Sequence, residues 1–315
     1  MRGKITSTLL ILLSLILIAG CMGRSNEPIP SEAMTSVTFT DALDREVIIA
    51  SPIRVGILSG SLAQAWKLAG GSITAATEDA FELANLSLAK DVISLGSVKS
   101  PDIESIITSE LDFVLLSSAI SGQVSLSPIL EKAGIAYAFF DIETFSDYKE
   151  MMDIFAKITG RIDLHVEYVD DVETRIQEQI ARADGSRPTI LFLRAYSTGI
   201  AAKDSSSMTG QMLQDLGCTN IADGDSLYTE NLSLEAILAA DPEYIFITTM
   251  GDSEEALAYV DEHFTASPAW STLTAVKENR YFLLPQDLFH LKPNERWDES
   301  YRFLADILYG GENAK

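Results

Sequence analysis

The sequence predicts an α/β protein with two Rossmann-like lobes, each with a mainly parallel sheet, joined by one long rigid α-helix, with a ligand cleft between the lobes. Three observations lead to this prediction. Short buried strands alternate with amphipathic helices through most of the 315 residues, which is the pattern of parallel α/β sheets. A single long helix is predicted near the middle, at residues 163–183. Residues 100–118 also repeat beyond that helix, at residues 231–249, as expected for two related lobes.

The N-terminus has the organisation of a lipoprotein signal peptide. Two basic residues precede an apolar run at residues 9–19, which is too short for a stable membrane-spanning helix but suits a signal-peptide core. The small residues before Cys21 resemble the lipobox of bacterial lipoproteins, in which cleavage leaves the cysteine lipidated. The alternative is an ordinary signal peptide with an incidental cysteine. We therefore expect a signal peptide at residues 1–20, a lipidated Cys21 and a flexible tether at residues 21–36.

The predicted N-terminal lobe covers residues 37–162. Two short alternating segments around a turn predict an opening β-hairpin at residues 37–49. Buried strands are predicted at residues 53–58, 113–116 and 135–140. Helices are predicted at residues 62–68, 102–108, 129–132 and 148–158.

The bridging helix is predicted at residues 163–183. Val169, Val172, Ile176 and Ile180 recur at spacings of three and four, which is the apolar stripe of an amphipathic helix. About twenty residues at 1.5 Å each span roughly 30 Å, the width of a small domain. Asp163 can cap the start of this helix. The predicted C-terminal lobe follows at residues 184–315, with strands at 189–193, 244–248 and 281–284 and helices at 209–216 and 294–309.

The internal repeat pairs a helix and a strand in each lobe. Residues 100–118 align with residues 231–249 without a gap, so that Glu104 falls on Glu235. Apolar positions coincide along the helix and along the strand that follows it. Both copies predict an amphipathic helix leading into a buried strand, which favours two homologous lobes.

Composition excludes several classes of function. The formal charge is −23, and it becomes −25 without residues 1–20, which hold two basic residues and no acidic one. This charge argues against nucleic acid as a partner, because phosphate binding needs clustered Lys and Arg. The only cysteines are Cys21 and Cys218, so a disulfide scaffold is excluded, and we expect Cys218 to be a small buried residue.

Candidate ligand-binding residues follow the predicted strands or begin the last helix. In open parallel sheets, ligands bind beyond the carboxyl ends of the strands. The segments at these positions offer hydroxyls, an amide, cations, a thioether and an imidazole. The predicted ligand-binding residues are Ser59, Ser61, Ser118, Gln123, Arg194, Tyr196, Met250, His290, Lys292 and Arg296.

One segment approximates a catalytic motif. Residues 195–199 follow a strand and resemble the nucleophile elbow of α/β hydrolases, with Ser197 as nucleophile and His290 as base. Ala195 replaces the first glycine of that motif, and no helix begins directly after Ser197. We therefore predict no catalytic residue. Three histidines are too few for a zinc or manganese site, and no phosphate-binding glycine loop occurs, so no bound metal ion or cofactor is predicted.

The lipobox, the hairpin at residues 37–49, the segment 100–118, the bridging helix and the run 231–251 together resemble the solute-binding lipoproteins of bacterial ABC importers for iron siderophores, haem and cobalamin. The resemblance implies a monomer that is attached to the outer face of a membrane by its lipid alone. It also implies a cleft that closes only modestly on its ligand, and delivery of that ligand to the permease and ATPase subunits of an importer. Glu104 and Glu235 occupy the positions whose carboxylates dock onto arginines of the permease.

The sequence leaves the choice of ligand open. Arg194, Lys292 and Arg296 suit the carboxylates of haem or the negative charge of a ferric catecholate. Haem also needs an axial ligand, for which His290 is the candidate and Tyr196 or Met250 the alternatives. We expect a ferric siderophore or haem. Cobalamin is the alternative within the same family, and a secreted hydrolase using Ser197 is the alternative of another class.

Overall fold

The computed structural model describes residues 36–224 and 232–311, so the predicted signal peptide, Cys21 and nearly all of the tether lie outside the described residues. The strands are β1 (Val37–Thr40), β2 (Glu46–Ile49), β3 (Val55–Ile57), β4 (Ala75–Ala76), β5 (Ile93–Ser94), β6 (Gly96–Ser97), β7 (Ser100–Pro101), β8 (Phe113–Ser117), β9 (Ala136–Phe140), β10 (Thr189–Tyr196), β11 (Gly199–Ala202), β12 (Thr219–Asn220), β13 (Tyr244–Thr249) and β14 (Tyr281–Leu283).

The α-helices are α1 (Gly60–Leu68), α2 (Glu78–Glu82), α3 (Ile103–Thr108), α4 (Ser121–Val124), α5 (Ser127–Ala133), α6 (Phe145–Thr159), α7 (Ile162–His165), α8 (Asp171–Ile180), α9 (Met208–Asp215), α10 (Leu234–Ala240), α11 (Ser253–Val260), α12 (Thr274–Lys277), α13 (Gln286–Phe289) and α14 (Trp297–Tyr309). Two π-helical segments (Val166–Asp170, Asp261–Thr265) and two 3₁₀ turns (Trp270–Thr272, Asn294–Arg296) complete the secondary structure. Within the described ranges, no helix has the length and hydropathy needed to cross a bilayer.

The N-terminal lobe is built on a five-stranded parallel sheet in the order β5-β4-β3-β8-β9. Its interior strand β8 is buried on both faces, because helices cover both sides of a parallel sheet. Phe113 and Leu115 point into the core shared with the bridging helix. Val114 and Leu116 point into a second core on the opposite face. The hairpin of β1 and β2 precedes this sheet, as predicted.

The C-terminal lobe carries a five-stranded sheet in the order β11-β10-β13-β14, with β12 pairing to the start of β10. All of its pairings are parallel except that of β10 with β11. Along β13, Ile245 and Ile247 pack on one face and Phe246 on the other. The prediction of two lobes with mainly parallel sheets is therefore confirmed.

The two copies of the internal repeat begin with equivalent helix caps. The Asp102 carboxylate accepts hydrogen bonds from the backbone N–H groups at the start of α3. The Ser233 hydroxyl, which stands at the matching position of the repeat, accepts one from the third residue of α10. Side-chain oxygens at this position satisfy backbone donors that a helix start leaves unpaired. Each helix then leads into an interior strand of its sheet, β8 in one lobe and β13 in the other.

The bridging helix runs from Ile162 to Ile180 and contains a π-helical segment, Val166–Asp170, which the sequence did not predict. Asp163 does not cap the helix; its carboxylate pairs with Arg161 instead. In a regular α-helix, Ile162 and Val166 would continue the buried stripe of the helix. The extra residue of a π segment rotates what precedes it by roughly 100°, and these two side chains are 53% and 48% exposed.

Side chains of the C-terminal helix α14 join both lobes to the bridging helix. Trp297 is buried and its ring lies 5.9 Å from that of Phe145 on α6 of the N-terminal lobe. Further along α14, the Asp306 carboxylate pairs with Arg182 just beyond the bridging helix, at 2.8 Å. One continuous core includes residues of both sheets and of the bridging helix. The two lobes therefore share a packed base.

Candidate functional site

A cavity of about 360 Å³ lies between the lobes, at the carboxyl ends of their parallel strands. This volume is at the lower end of the range of small-molecule sites. Much of its wall is apolar, including Leu62, Ile120, Phe140, Met151 and Met250. Its charged and titratable residues are Asp79, Lys99, Asp141, Glu143, His290 and Lys292.

The C-terminal lobe contributes an imidazole held in its neutral form. His290 follows helix α13 and is partly buried in the cavity wall. Burial, followed by the positive charges of Arg194 and Lys292, lowers the pKa of His290 to about 4. The Nδ1 atom is buried and has no hydrogen-bond partner. A neutral imidazole at physiological pH offers a lone pair to a ligand atom or to a metal centre within a ligand.

Arg194 stands near His290 on strand β10, in register with Thr248 of β13. Its Nε atom and the Thr248 hydroxyl are both buried without a hydrogen-bond partner. The guanidinium makes no hydrogen bond or ion pair with another residue in the described part of the chain. Burying an unpaired polar group costs free energy, so these two atoms form an unsatisfied polar pair behind the cavity wall.

The N-terminal lobe contributes three carboxylates to the wall. Asp79, at the start of α2, accepts a hydrogen bond from the Gly60 N–H at 2.7 Å, and its other oxygen is buried without a partner. Asp141 follows strand β9 directly. Its partial burial, together with the negative charge of Glu143, raises the pKa of Asp141. This wall is thus the acidic side of the cavity.

Polar contacts tie the two lobes together around the cavity. Lys292 of the C-terminal lobe donates to the Glu143 carboxylate at 2.9 Å. The buried Asn294 amide donates to the Ser61 carbonyl and to the Gln64 side chain, at 3.1 and 3.0 Å. The Gln64 amide in turn donates to the Glu295 carboxylate. These bonds hold the lobes in register at the base of the cleft.

Five of the ten predicted ligand-binding residues line this cavity, namely Ser59, Ser61, Met250, His290 and Lys292. Ser118 lies between two lining residues, Ser117 and Ala119. Arg194 stands behind the wall, where its charge acts on His290. Tyr196 ends strand β10 in the hairpin with β11.

Gln123 is a structural residue, contrary to the prediction that it binds ligand. Its side chain is fully buried. The amide oxygen accepts from the Ser117 N–H at 2.7 Å, and the amide nitrogen donates to the carbonyls of Leu58 and Val98. The amide is thus engaged in fixing the loop after β8 to the end of β3.

Arg296 is also unlike its prediction. Its guanidinium pairs with Asp287 at 2.7 Å and with Glu299 at 2.9 Å, so its charge is neutralised within the C-terminal lobe. It does not line the cavity described above, but it lines an adjoining cavity of about 470 Å³ that shares Ser61, Leu291 and Lys292 with it.

Ser197 lies in the two-residue turn between β10 and β11, where a loop had been predicted. A nucleophile elbow requires a tight turn from a strand into a helix. The antiparallel hairpin at this position excludes that geometry, so the hydrolase alternative is wrong.

The acidic wall was not predicted from the sequence. Asp141 and Asp79 both follow parallel strands, so the rule that pointed to Ser59 and Ser118 also applies to them. Strand β4, which precedes Asp79, has only two residues and therefore gives a weak signal in the sequence. Among the described residues, no group of three His, Cys, Asp or Glu side chains could hold a metal ion.

The two carboxylates predicted to dock onto a permease are both exposed. Glu104 is in the first turn of α3 and Glu235 is in the first turn of α10. Ile103 and Ile107, on the same helix as Glu104, are 40% and 46% exposed, so an apolar surface accompanies the charge in the N-terminal lobe.

We expect replacement of His290 by Asn to weaken the acid sensitivity of folding. The unfolded chain binds a proton at the ordinary pKa of 6.5, whereas folded His290 binds it at about 4, so wild-type stability falls as the pH is lowered through this window. Allowing for partial exposure of the imidazole, the free energy of unfolding of the wild type should fall by about 1 kcal/mol more than that of His290→Asn between about pH 7 and about pH 5. Urea unfolding of both proteins at several pH values measures this difference, and parallel curves would contradict the buried neutral state.

Comparisons with known proteins agree with this architecture. A sequence profile of the family described as "Periplasmic binding protein" matches residues 61–288. Among curated protein sequences, none matches the chain significantly.

Several solved structures share the fold. An ABC transporter substrate-binding protein from Listeria monocytogenes EGD-e is 19% identical, with a TM-score of 0.69 over 82% of this chain and 99% of its own. The siderophore-binding protein BauB, bound to two molecules of acinetobactin and ferric iron, is 18% identical, with a TM-score of 0.71 over 89% and 99% of the two chains. IsdE of S. aureus, complexed with heme, is 19% identical, with a TM-score of 0.68 over 82% and 99%.

The matched family consists of substrate-binding proteins that act outside the cytoplasm, and its members are not enzymes. The profile covers well over half of the chain. Two lobes with parallel sheets are the architecture that this chain shares with those solved structures. The chain belongs to the periplasmic binding protein family.

Proposed function

We propose that this protein is a lipid-anchored receptor that captures an iron complex, either a ferric siderophore or haem, outside the membrane. It then delivers that complex to the permease and ATPase subunits of an ABC importer. The observation that supports this function best is the cavity between the lobes, to which both lobes contribute charged side chains. BauB and IsdE, which share the fold, carry a ferric siderophore and heme in their structures. The iron complex is cargo, so we propose no cofactor.

The C-terminal wall suits an iron complex chemically. Arg194 is a cation without a partner among the described residues, and a guanidinium can pair with carboxylate or iron-bound oxygen atoms. His290 is neutral at physiological pH and accessible from the cavity wall. It can accept a hydrogen bond from a siderophore or serve as an axial ligand to haem iron.

Anchoring and delivery complete the proposed function. Lipidation of Cys21 would hold the monomer at the outer face of the membrane through its acyl chains alone. Glu104 and Glu235, one on each lobe, would then pair with arginines of the permease. Because both carboxylates are exposed and in the first turn of equivalent helices, a permease with two-fold related subunits could contact both at once.

Titration of the purified protein with iron complexes tests the capture of cargo. We expect one of haemin, a ferric tris-hydroxamate or a ferric tris-catecholate to bind with one-to-one stoichiometry, measured by quenching of tryptophan fluorescence. His290→Ala should weaken that binding by about tenfold, the equivalent of one lost polar contact of about 1.4 kcal/mol. With haemin, ligation by His290 would also shift the Soret band, and His290→Ala would remove the shift.

His263→Ala is the matched control, because His263 is exposed on a surface helix of the same lobe. It should leave the affinity unchanged. A protein that binds none of the three iron complexes, or that binds cobalamin alone, would contradict the capture of iron complexes.

A further inference from the structure

The start of helix α1 faces the cavity, and a carboxylate of the protein already occupies one of its N–H groups. Ser59 and Ser61 flank this helix start and line the cavity. The N-terminus of a helix attracts negative charge and offers free N–H groups. Here the Asp79 carboxylate accepts the Gly60 N–H at 2.7 Å. The negative charge of Asp79 therefore stands where a ligand anion would approach the helix start.

The rest of the N-terminal wall adds negative charge. Glu143 pairs with Lys292 across the cleft. Asp141 receives no hydrogen bond from another side chain among the described residues, and it opens into the cavity. Its raised pKa has burial as the first cause and the Glu143 charge as the second, which means that the negative charge at Asp141 is poorly compensated.

The charges that line the cavity do not balance. The lining holds three carboxylates, Asp79, Asp141 and Glu143, and two ammonium groups, Lys99 and Lys292, while His290 is neutral. One negative charge is in excess, and all three carboxylates lie on the N-terminal wall. Arg194 lies behind the C-terminal wall and does not line the cavity. The lining is therefore net acidic, and a polyanion would meet repulsion at the N-terminal wall.

From this arrangement we propose that the cargo is a ferric tris-hydroxamate siderophore that is neutral at its metal centre and carries a protonated amine, with the amine bound at Asp141 in the cavity lining. This assignment rests on the proposed capture of an iron complex. A ferric tris-hydroxamate carries no net charge at its metal centre, whereas a ferric tris-catecholate is trianionic. The acidic wall disfavours the second class and gives the first a partner for a cationic arm.

Three matched iron complexes test the assignment by isothermal titration calorimetry on the full-length protein in detergent. They are a linear ferric tris-hydroxamate with one terminal amine, its N-acetylated derivative, and a ferric tris-catecholate. We expect the amine-bearing complex to bind about tenfold more tightly than the acetylated one, since one ion pair in a partly solvated cleft contributes about 1.4 kcal/mol. The tris-catecholate should bind more weakly than both.

Variants assign the preference to Asp141. Asp141→Asn should remove the difference between the amine-bearing and acetylated complexes and improve tris-catecholate binding, whereas Asp141→Glu should keep the difference. Asp91→Asn, at an exposed carboxylate outside the cavity, is the control and should change nothing. Equal affinity for the amine-bearing and acetylated complexes, or tighter binding of the tris-catecholate by the wild type, would overturn this inference while leaving iron-complex capture intact. Failure to bind any of the three complexes would contradict both this inference and the proposed capture of an iron complex.

Discussion

Reversing the charge of Glu104 and Glu235, the two carboxylates proposed to dock onto the permease, in a Glu104→Arg/Glu235→Arg protein is expected to reduce cargo uptake by roughly 100-fold or more. If each carboxylate pairs with a permease arginine as proposed, each reversal replaces that attraction by like-charge repulsion, which costs several kcal/mol at a contact of this kind. Ligand affinity should stay unchanged, because neither residue lines the cavity. Uptake of radiolabelled iron complex by cells that depend on this protein measures the first quantity, and titration of the purified variant measures the second.

A double variant with the same change in net charge is the control. Glu46→Arg/Glu178→Arg reverses two exposed carboxylates, one on strand β2 and one on the bridging helix. Its uptake should equal that of the wild type. Full uptake by the Glu104→Arg/Glu235→Arg protein would show that docking does not depend on these two carboxylates.

Replacing Asp41 by Ala should destabilise the fold by about 3–5 kcal/mol, because removing one partner of a buried ion pair leaves the other charge without compensation. Its side chain is fully buried in the turn between β1 and β2 and pairs with Arg45 at 2.6 Å. It also accepts backbone N–H groups of Leu43, Arg45 and Phe139. The Phe139 bond fixes the hairpin to strand β9 of the main sheet. Urea unfolding measures the loss.

Glu46→Ala, in the same hairpin but exposed, should change the free energy of unfolding by less than about 0.5 kcal/mol. Burial alone would raise the pKa of Asp41, but the hydrogen bonds from Arg45 and from backbone N–H groups outweigh it and lower the pKa below its ordinary value of 3.8. The contribution of Asp41 is therefore present above pH 3.8 and is lost as the pH falls through the lowered pKa. A loss of stability no larger than that of Glu46→Ala would refute this role.

The fold was predictable because its signals are local. Apolar runs of four or five residues become the strands β8 and β13, whose faces are both buried. The matching positions of the repeat become equivalent helix starts, capped by Asp102 and Ser233. Periodicity and capping are properties of neighbouring residues, so a single sequence displays them.

The site was only half predictable because side-chain direction depends on distant parts of the chain. Gln123 lies in the segment that follows strand β8, in the short helix α4, but backbone groups of three separate segments use its amide. Arg296 comes shortly after cavity-lining residues in the sequence. Its charge is nevertheless neutralised by the carboxylate of Asp287, nine positions earlier. The rule that ligands bind beyond the carboxyl ends of parallel strands identifies the segments that surround the cavity. Tertiary contacts then determine which of their side chains reach it.

The π segment at Val166–Asp170 places one extra residue inside the bridging helix. Each residue of an α-helix turns the chain by roughly 100°, so deleting one residue from this segment would restore regular α-helical turns and turn the residues before it by that angle relative to α8. The core and the ion pair that both lobes share oppose such a turn. The extra residue therefore lets the bridging helix remain continuous while the two lobes keep their packed base.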